Sequence, residues 1–170
     1  MAHQVTFKGS PKDLLGPKLK AGDSAPDFEC VSQSLEVITL KSMPPKARLF
    51  SVVPSLDTPV CSMQTKKFDE SIASMKDQVV CYTVSLDLPF AQKRFCTAET
   101  VSNVQTLSDT RNQSFGKAYG VLLQGLPLPL LARAIFVVDK NNKITYCEYV
   151  SEVTNHPDYE KAIAALKAAV

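Results

Sequence analysis

Arg48-Leu49-Phe50-Ser51-Val52-Val53-Pro54-Ser55-Leu56-Asp57-Thr58-Pro59-Val60-Cys61 contains an apolar run, a short turn and a cysteine at a helix start. Residues 48–53 read as a buried strand, the pattern of a strand inside a parallel sheet. From Val60 the apolar positions Met63, Phe68, Ile72 and Met75 fall near one helical face, with Lys66, Lys67, Asp69 and Glu70 elsewhere. Pro59 suits the first helical turn, where its missing N–H costs nothing. Thr58 or Asp57 can cap the helix, and the Thr58 hydroxyl would then point into the same pocket as Cys61. Unpaired N–H groups and a partial positive charge at a helix start favour a thiolate over a thiol. A lone cysteine near a helix is also commonly a small buried hydrophobe. Position alone leaves the reactive and the packing readings both open.

Downstream, strands and helices alternate. Residues 79–85 form a near-continuous apolar strand with Cys81 in its middle, read as a core thiol. Asp87-Leu88-Pro89 opens a short helix through Cys96, with Asp87 as its cap. Residues 101–107 hold a further strand. Ser108-Asp109-Thr110 signals a cap for a helix over 111–119, which Gly120 stops. Gly125-Leu126-Pro127-Leu128-Pro129 is a rigid loop, closed by Arg133 before a buried strand over 134–138. Asp139-Lys140-Asn141-Asn142 turns into a strand over 143–150, and Asn155-His156-Pro157 starts the last helix. Its residues Tyr159, Ile163, Leu166 and Val170 make an amphipathic face.

Upstream, Val5-Thr6-Phe7 alternates and Gly9-Ser10-Pro11 signals a turn, so residues 1–20 read as a hairpin. Gly22 to Phe28 is turn-rich, and the chain then extends to Val31. A strand follows over 35–40 and a loop over 41–46. Interleaved strands and helices with a late antiparallel hairpin predict an α/β fold with a mixed central sheet. At 170 residues one domain spanning 1–170 is expected.

Composition narrows the chemistry. Apolar residues make up 45% and charged residues 21%, as in an ordinary soluble globular protein. A net charge of +2 without a basic cluster gives nucleic-acid binding no support. No apolar run approaches the length of a membrane span. Residues 1–8 lack the pattern of a signal peptide, so the expected compartment is the cytoplasm. The five cysteines stand at 30, 61, 81, 96 and 147, with no C-x-x-C and only His3 and His156 beside them. Neither zinc nor a static disulfide framework is supported, and no cofactor is expected.

Pro54-x-x-x-Thr58-x-x-Cys61 resembles the active-site motif of the peroxiredoxins. Three segments sharpen the resemblance toward the thiol peroxidase subfamily: Ser-Leu-Asp-Thr-Pro-Val-Cys at 55–61, Leu-Pro-Phe-Ala-Gln-Lys-Arg-Phe-Cys at 88–96 and Leu-Ala-Arg-Ala at 131–134. Gly-x-x-Ala-Pro-Asp-Phe at 22–28 is similar to the segment that opens the core of many peroxiredoxins. The resemblance implies a thioredoxin fold with an added N-terminal β-hairpin. It also implies a peroxidase that needs no metal, with Cys61 as nucleophile, Thr58 hydrogen-bonding the thiolate or the peroxide, Arg133 holding the thiolate and a peroxide oxygen, and Pro54 shielding the pocket. Cys96 becomes the resolving thiol within the same chain; the pattern of 88–96 alone leaves it open between that and packing. Thioredoxin as reductant and a homodimer are further implications. Ser62-Met63-Gln64 after the nucleophile, and the absence of a C-terminal resolving cysteine, depart from the typical two-cysteine class.

Magnitudes show why a cysteine alone is insufficient. A free thiol with a pKa of about 8.5 is only about 3% thiolate at pH 7, so full deprotonation gains at most ~30-fold. Nucleophilicity also falls as the pKa falls. Donors that stabilise charge on the leaving oxygen must supply the remainder, and Arg133 offers a planar, permanently charged fork. The leading expectation is a peroxidase acting on hydrogen peroxide and organic hydroperoxides. Leu126, Leu128 and Leu130 are apolar candidates near the site. Two alternatives are a relay that passes its oxidation to partner proteins and a redox-inert binding domain. Cys30 and Cys147 are read as structural.

Overall fold

The computed structural model describes residues 3–170. In chain order the strands are β1 (His3–Phe7), β2 (Ser10–Leu15), β3 (Cys30–Val31), β4 (Val37–Ile38), β5 (Ala47–Val52), β6 (Val79–Ser85), β7 (Gln105–Ser108), β8 (Leu122–Leu123), β9 (Ala134–Val138) and β10 (Ile144–Tyr149). The helices are α1 (Pro59–Ile72), α2 (Pro89–Ala98), α3 (Ser114–Ala118) and α4 (Tyr159–Ala168). Seven strands make the central sheet, in the order β10-β9-β5-β6-β7-β3-β4. β5, β6 and β7 run parallel, while β9 is antiparallel to β5 and β10 to β9. This is the expected mixed α/β sheet.

Every residue of β5 is buried, which explains its largely apolar sequence. Successive side chains enter opposite layers. Leu49 packs in the layer that holds Phe68 and Ile72 of α1 and Leu166 of α4. Phe50 packs in the other, with Phe28, Phe115, Tyr119 and Phe136. There the Phe115 and Tyr119 rings stack at 4.1 Å and Phe28 meets Phe50 edge-on at 5.6 Å. Arg48 is buried as well, which its charge did not suggest; its Nη2 donates to Asp139 O and Asn142 Oδ1, both at 2.6 Å. A buried cation needs such acceptors to offset its lost hydration.

β1 and β2 form the expected hairpin; residues 1 and 2 lie outside the described residues. Phe7 pairs with Ser10 across Lys8-Gly9, both at positive φ, the geometry of a two-residue hairpin turn. β2 also pairs with β8, a short strand absent from the sequence reading. The hairpin turn is fastened to the far end of the chain by Glu152. This carboxylate accepts from the N–H groups of Gly9 at 2.7 Å and Thr154 at 2.8 Å.

Several boundaries differ from expectation, each for a local reason. The strand over 35–40 shrinks to β4, because Thr39 caps a 3-10 turn at Leu40–Ser42. The strand over 101–107 starts only at Gln105. The N–H groups of Ser102, Asn103 and Val104 instead donate to Asp69 Oδ1 at 3.2, 2.6 and 2.9 Å. α3 begins at Ser114 rather than 111, since the Asp109 carboxylate accepts from the N–H groups of Phe115 and Gly116. On α1, Met63 is 54% exposed and the buried face includes polar Gln64, Thr65 and Asp69. The last helix starts at Tyr159, capped by Asp158, and Val170 lies exposed beyond its end.

The Glu152 clamp has a pH signature. The Thr154 and Gly9 N–H groups hold its carboxyl at about 2, below the ordinary 4.5. A depressed folded-state pKa stabilises the fold above the unfolded value and loses that stability as pH falls through the folded one. In urea titrations, the stability difference between the wild type and Glu152→Gln is therefore full above pH 4.5 and shrinks toward about pH 2. A difference that stays constant through that window would show that the charge of Glu152 contributes nothing.

Candidate active site

Cys61 is the third residue of α1, after Thr58 at the N-cap and Pro59 in the first turn. Its N–H belongs to the set that has no partner inside the helix. The side chain is fully buried and packs with Val53 and Leu56. Arg133, just before β9, reaches the sulfur with both ends of its fork: Nη1 and Nη2 are each 3.4 Å from Cys61 Sγ. Arg133 is 2% exposed. Its Nε donates to Val153 O at 2.8 Å and its Nη1 to Gln64 Oε1 at 2.9 Å. No carboxylate pairs with it among the described residues. Its charge is thus available to negative charge at the sulfur or at an atom beside it.

A cavity of about 380 Å³ opens onto Arg133, lined also by Phe7, Pro54, Thr58, Val60 and Leu130 among others; Cys61 lies buried behind this lining. Pro54, Thr58 and Arg133 therefore border one space, although Arg133 is far from the other two in sequence. Thr58 occupies the N-cap position but makes no capping bond. Its hydroxyl donates to Ser55 O at 2.8 Å, which leaves the lone pairs of Oγ1 free. Asp57 does not cap either; it is exposed, 3.9 Å from the Arg94 guanidinium. Of the three leucines expected near the site, Leu130 lines the cavity. Leu126 and Leu128 line a separate surface depression with Leu15 and Gln124.

Two residues near Cys61 had no role in the sequence reading. Gln64 is fully buried one helical turn after Cys61; its Oε1 accepts from Arg133 and its Nε2 donates to Ser51 Oγ at 2.7 Å. A buried amide three residues from a candidate cysteine, on the same helix face, was the available signal. Asp87 is the second. It was expected to cap α2, but Leu88 holds the N-cap position and supplies no side-chain bond. The Asp87 carboxylate turns to the loop before α1 instead. It accepts from Ser55 Oγ at 2.8 Å and Leu56 N at 2.9 Å, and from Ser85 Oγ at 2.7 Å. The loop carrying Pro54 and Thr58 is thereby tied to the end of β6.

Cys96 lies near the end of α2, in the layer of Leu49 and Phe68 rather than beside Val53 and Leu56. Burial pushes its thiol pKa up, and the Gln33 amide, 3.6 Å away, works against that shift. Its sulfur faces a groove lined by Ser32, Gln33, Ser34 and Thr106 among others. All five cysteines are free thiols. Phe95, half-buried, packs against the Cys61 group and also against the layer that holds Cys96. Cys81 is a fully buried strand residue whose thiol burial pushes up strongly. Cys30 is buried against Asp109, and Cys147 donates to Leu19 O. No group of histidine, cysteine and carboxylate side chains able to hold a metal ion occurs among the described residues, and none of their helices is long and apolar enough to cross a membrane.

The family profile Redoxin matches residues 20–163. A thiol peroxidase of Halalkalibacterium halodurans is 55% identical over 166 residues, covering 98% of both chains. A thiol peroxidase of Bacillus subtilis is 52% identical over 167 residues, again covering 98% of each. Among solved structures, a peroxiredoxin-like protein from Aquifex aeolicus superposes with a TM-score of 0.92 at 42% identity, covering 100% of this chain and 99% of that one. A thiol peroxidase from Chromobacterium violaceum shares the fold with a TM-score of 0.86 at 21% identity, covering 97% and 95%. The mixed sheet with its added hairpin is thus the thioredoxin fold of this group.

The brace at Asp87 makes a stability prediction. Asp87→Ala strips a partner from Ser55 Oγ and from the Leu56 N–H, and such losses cost about 1–3 kcal/mol. In urea unfolding the stability of Asp87→Ala falls by that amount, which lowers the midpoint at an unchanged slope. A midpoint equal to the wild type would show that solvent replaces the carboxylate at no cost.

Proposed function

Because the chain belongs to the redoxin family and, within it, to the peroxiredoxins of the thiol peroxidase type, we propose that Cys61 is its peroxidatic nucleophile, that Arg133 and Thr58 serve the first step, and that Cys96 resolves it. The observation that carries the reading is the Arg133 fork, with both ends 3.4 Å from Cys61 Sγ. The Cys61 thiolate attacks the distal oxygen of a hydroperoxide. The O–O bond breaks, the sulfur gains the hydroxyl as a sulfenic acid, and the other oxygen leaves with the electron pair and takes a proton to become an alcohol or water. Arg133 N–H groups already aimed at the sulfur stabilise the negative charge as it passes to the leaving oxygen. In a water-poor site such preorganised donors are worth far more than in solution. Thr58 Oγ1, with its proton committed to Ser55 O, accepts from the peroxide O–H and orients it. Pro54 closes one side of the cavity and has no hydrogen-bonding part in the step.

The Cys96 thiolate then attacks the sulfenic sulfur; a disulfide forms and hydroxide leaves as water. Cys61 and Cys96 pack in separate side-chain clusters with Phe95 against both, so closure requires Phe95 to move. The first turn of α1 is suited to unwinding, having no side-chain cap, and the turn of α2 around Cys96 must open with it. An external dithiol of the thioredoxin kind supplies two electrons and two protons to restore both thiols. Hydrogen peroxide and organic hydroperoxides are the proposed substrates, the cytoplasm the proposed compartment and a homodimer the proposed assembly.

Two measurements test this. After one equivalent of peroxide, non-reducing peptide mapping finds a Cys61–Cys96 disulfide with the other three cysteines free. A stable Cys61 sulfenic acid beside a free Cys96 would remove the resolving role of Cys96, and an unreacted Cys61 would remove the nucleophile. Arg133→Met slows Cys61 oxidation by about 10²–10³-fold, the usual cost of one preorganised donor at a developing charge. A rate within a factor of about two of the wild type would show that the guanidinium stabilises no transition-state charge.

A further inference from the structure

Glu152 lies just after β10 and touches neither Cys61 nor Arg133, yet both of its oxygens are fully engaged. Oε1 accepts from Gly9 N at 2.7 Å and Thr6 Oγ1 at 3.0 Å. Oε2 accepts from Thr154 N and Thr154 Oγ1, both at 2.8 Å, and from Lys8 N at 3.3 Å. Backbone bonds reinforce the junction: Thr6 N donates to Ser151 O and Val153 N to Thr6 O, each at 2.8 Å. No cation pairs with Glu152 among the described residues. All of its acceptor capacity joins the hairpin turn to residues 151–154.

Both joined segments border the cavity at Arg133: Phe7 and Lys8 from the hairpin, Val153 and Thr154 from the other side. Pro54, Pro59, Val60 and Leu130 border it as well. Pro59 and Val60 belong to the uncapped first turn of α1, Phe7 and Val153 to the clamped junction. Hydrogen peroxide has no apolar surface for this wall to receive. A hydroperoxide with a hydrocarbon substituent has.

We propose that Glu152 is a specificity-determining positioning residue: by fastening the hairpin turn to Val153 and Thr154 it builds the apolar wall that receives the organic substituent of an alkyl or aryl hydroperoxide. The proposal rests on the peroxide entering through this cavity to reach Cys61. Val153 O also accepts from Arg133 Nε, which joins the clamp to the cation. If the clamp served only to seat Arg133, its loss would slow every peroxide alike. The ratio of two rates separates these cases.

The protein lacks tryptophan, so the rate is read by rapid quench and mass spectrometry of Cys61 in pre-reduced full-length protein. Hydrogen peroxide and cumene hydroperoxide are compared in the wild type, Glu152→Ala and Phe7→Ala. The cumene-to-hydrogen-peroxide rate ratio is expected to fall about 10-fold in both variants, the scale of a lost apolar contact in a binding pocket. A ratio in Glu152→Ala equal to that of the wild type overturns the proposal, even if both rates drop. Where Glu152→Ala does not fold, Phe7→Ala decides, and an unchanged ratio there overturns it. Wild-type Cys61 inert to both peroxides overturns the proposed function itself, and the wall assignment with it.

Discussion

A buried guanidinium without a carboxylate partner is the constraint around which this molecule is arranged. Taking a charge out of water costs several kcal/mol unless hydrogen bonds replace its hydration. Arg133 finds those bonds at Val153 O and Gln64 Oε1, and they are neutral. A carboxylate at the position of Gln64 would cancel much of the charge that faces Cys61. An amide accepts the bond, fixes the fork and leaves the field in place. Ser51, on the strand that precedes the Cys61 loop, in turn holds the Gln64 amide. Strand, helix and sheet edge are thus connected through the one cation.

The surroundings of that cation divide into parts of unequal firmness. The loop before α1 is tied through Asp87 to Ser85 on β6, and the N-terminal hairpin is tied through Glu152 to the segment that carries Val153. Between these two anchors lies the first turn of α1, which has a proline and no side-chain cap. Uncapped helix ends open most readily. The proposed mechanism calls for this arrangement: a fixed frame to hold the donors for attack on peroxide, and a yielding segment to let the sulfur leave them and meet a second thiol.

How much of this was legible in the chain depends on the kind of force concerned. β5, β6 and β9 were readable because strands buried on both faces produce continuous apolar runs. Cys61 was readable because proline and a capping-type residue mark a helix start. Asp109 was readable as a cap, and its carboxylate does take the first N–H groups of α3. Asp87 and Asp69 were read poorly, one as a local cap and the other as part of the polar face of α1. In the folded chain Asp69 serves the N–H groups of 102–104, more than thirty residues on, and Asp87 reaches back to Ser55 and Leu56. Met63 failed in the opposite sense: helical spacing placed it near the apolar face, but it stays exposed.

Sequence by itself determined the alternation of strands and helices, the buried central strands, the cysteine at the start of α1 and the resemblance that brings Thr58, Cys96 and Arg133 under consideration. These are set by periodicity, backbone stereochemistry and short-range spacing, which act between residues close in the chain. Tertiary structure alone decided that Arg133 points both ends of its fork at Cys61, that Gln64 rather than a carboxylate steadies it, and that Glu152 closes the hairpin onto the cavity wall. Those contacts join residues that sheet order brings together. Their partners are chosen by where a buried polar group can satisfy its hydrogen bonds, and no local pattern in a chain records that choice.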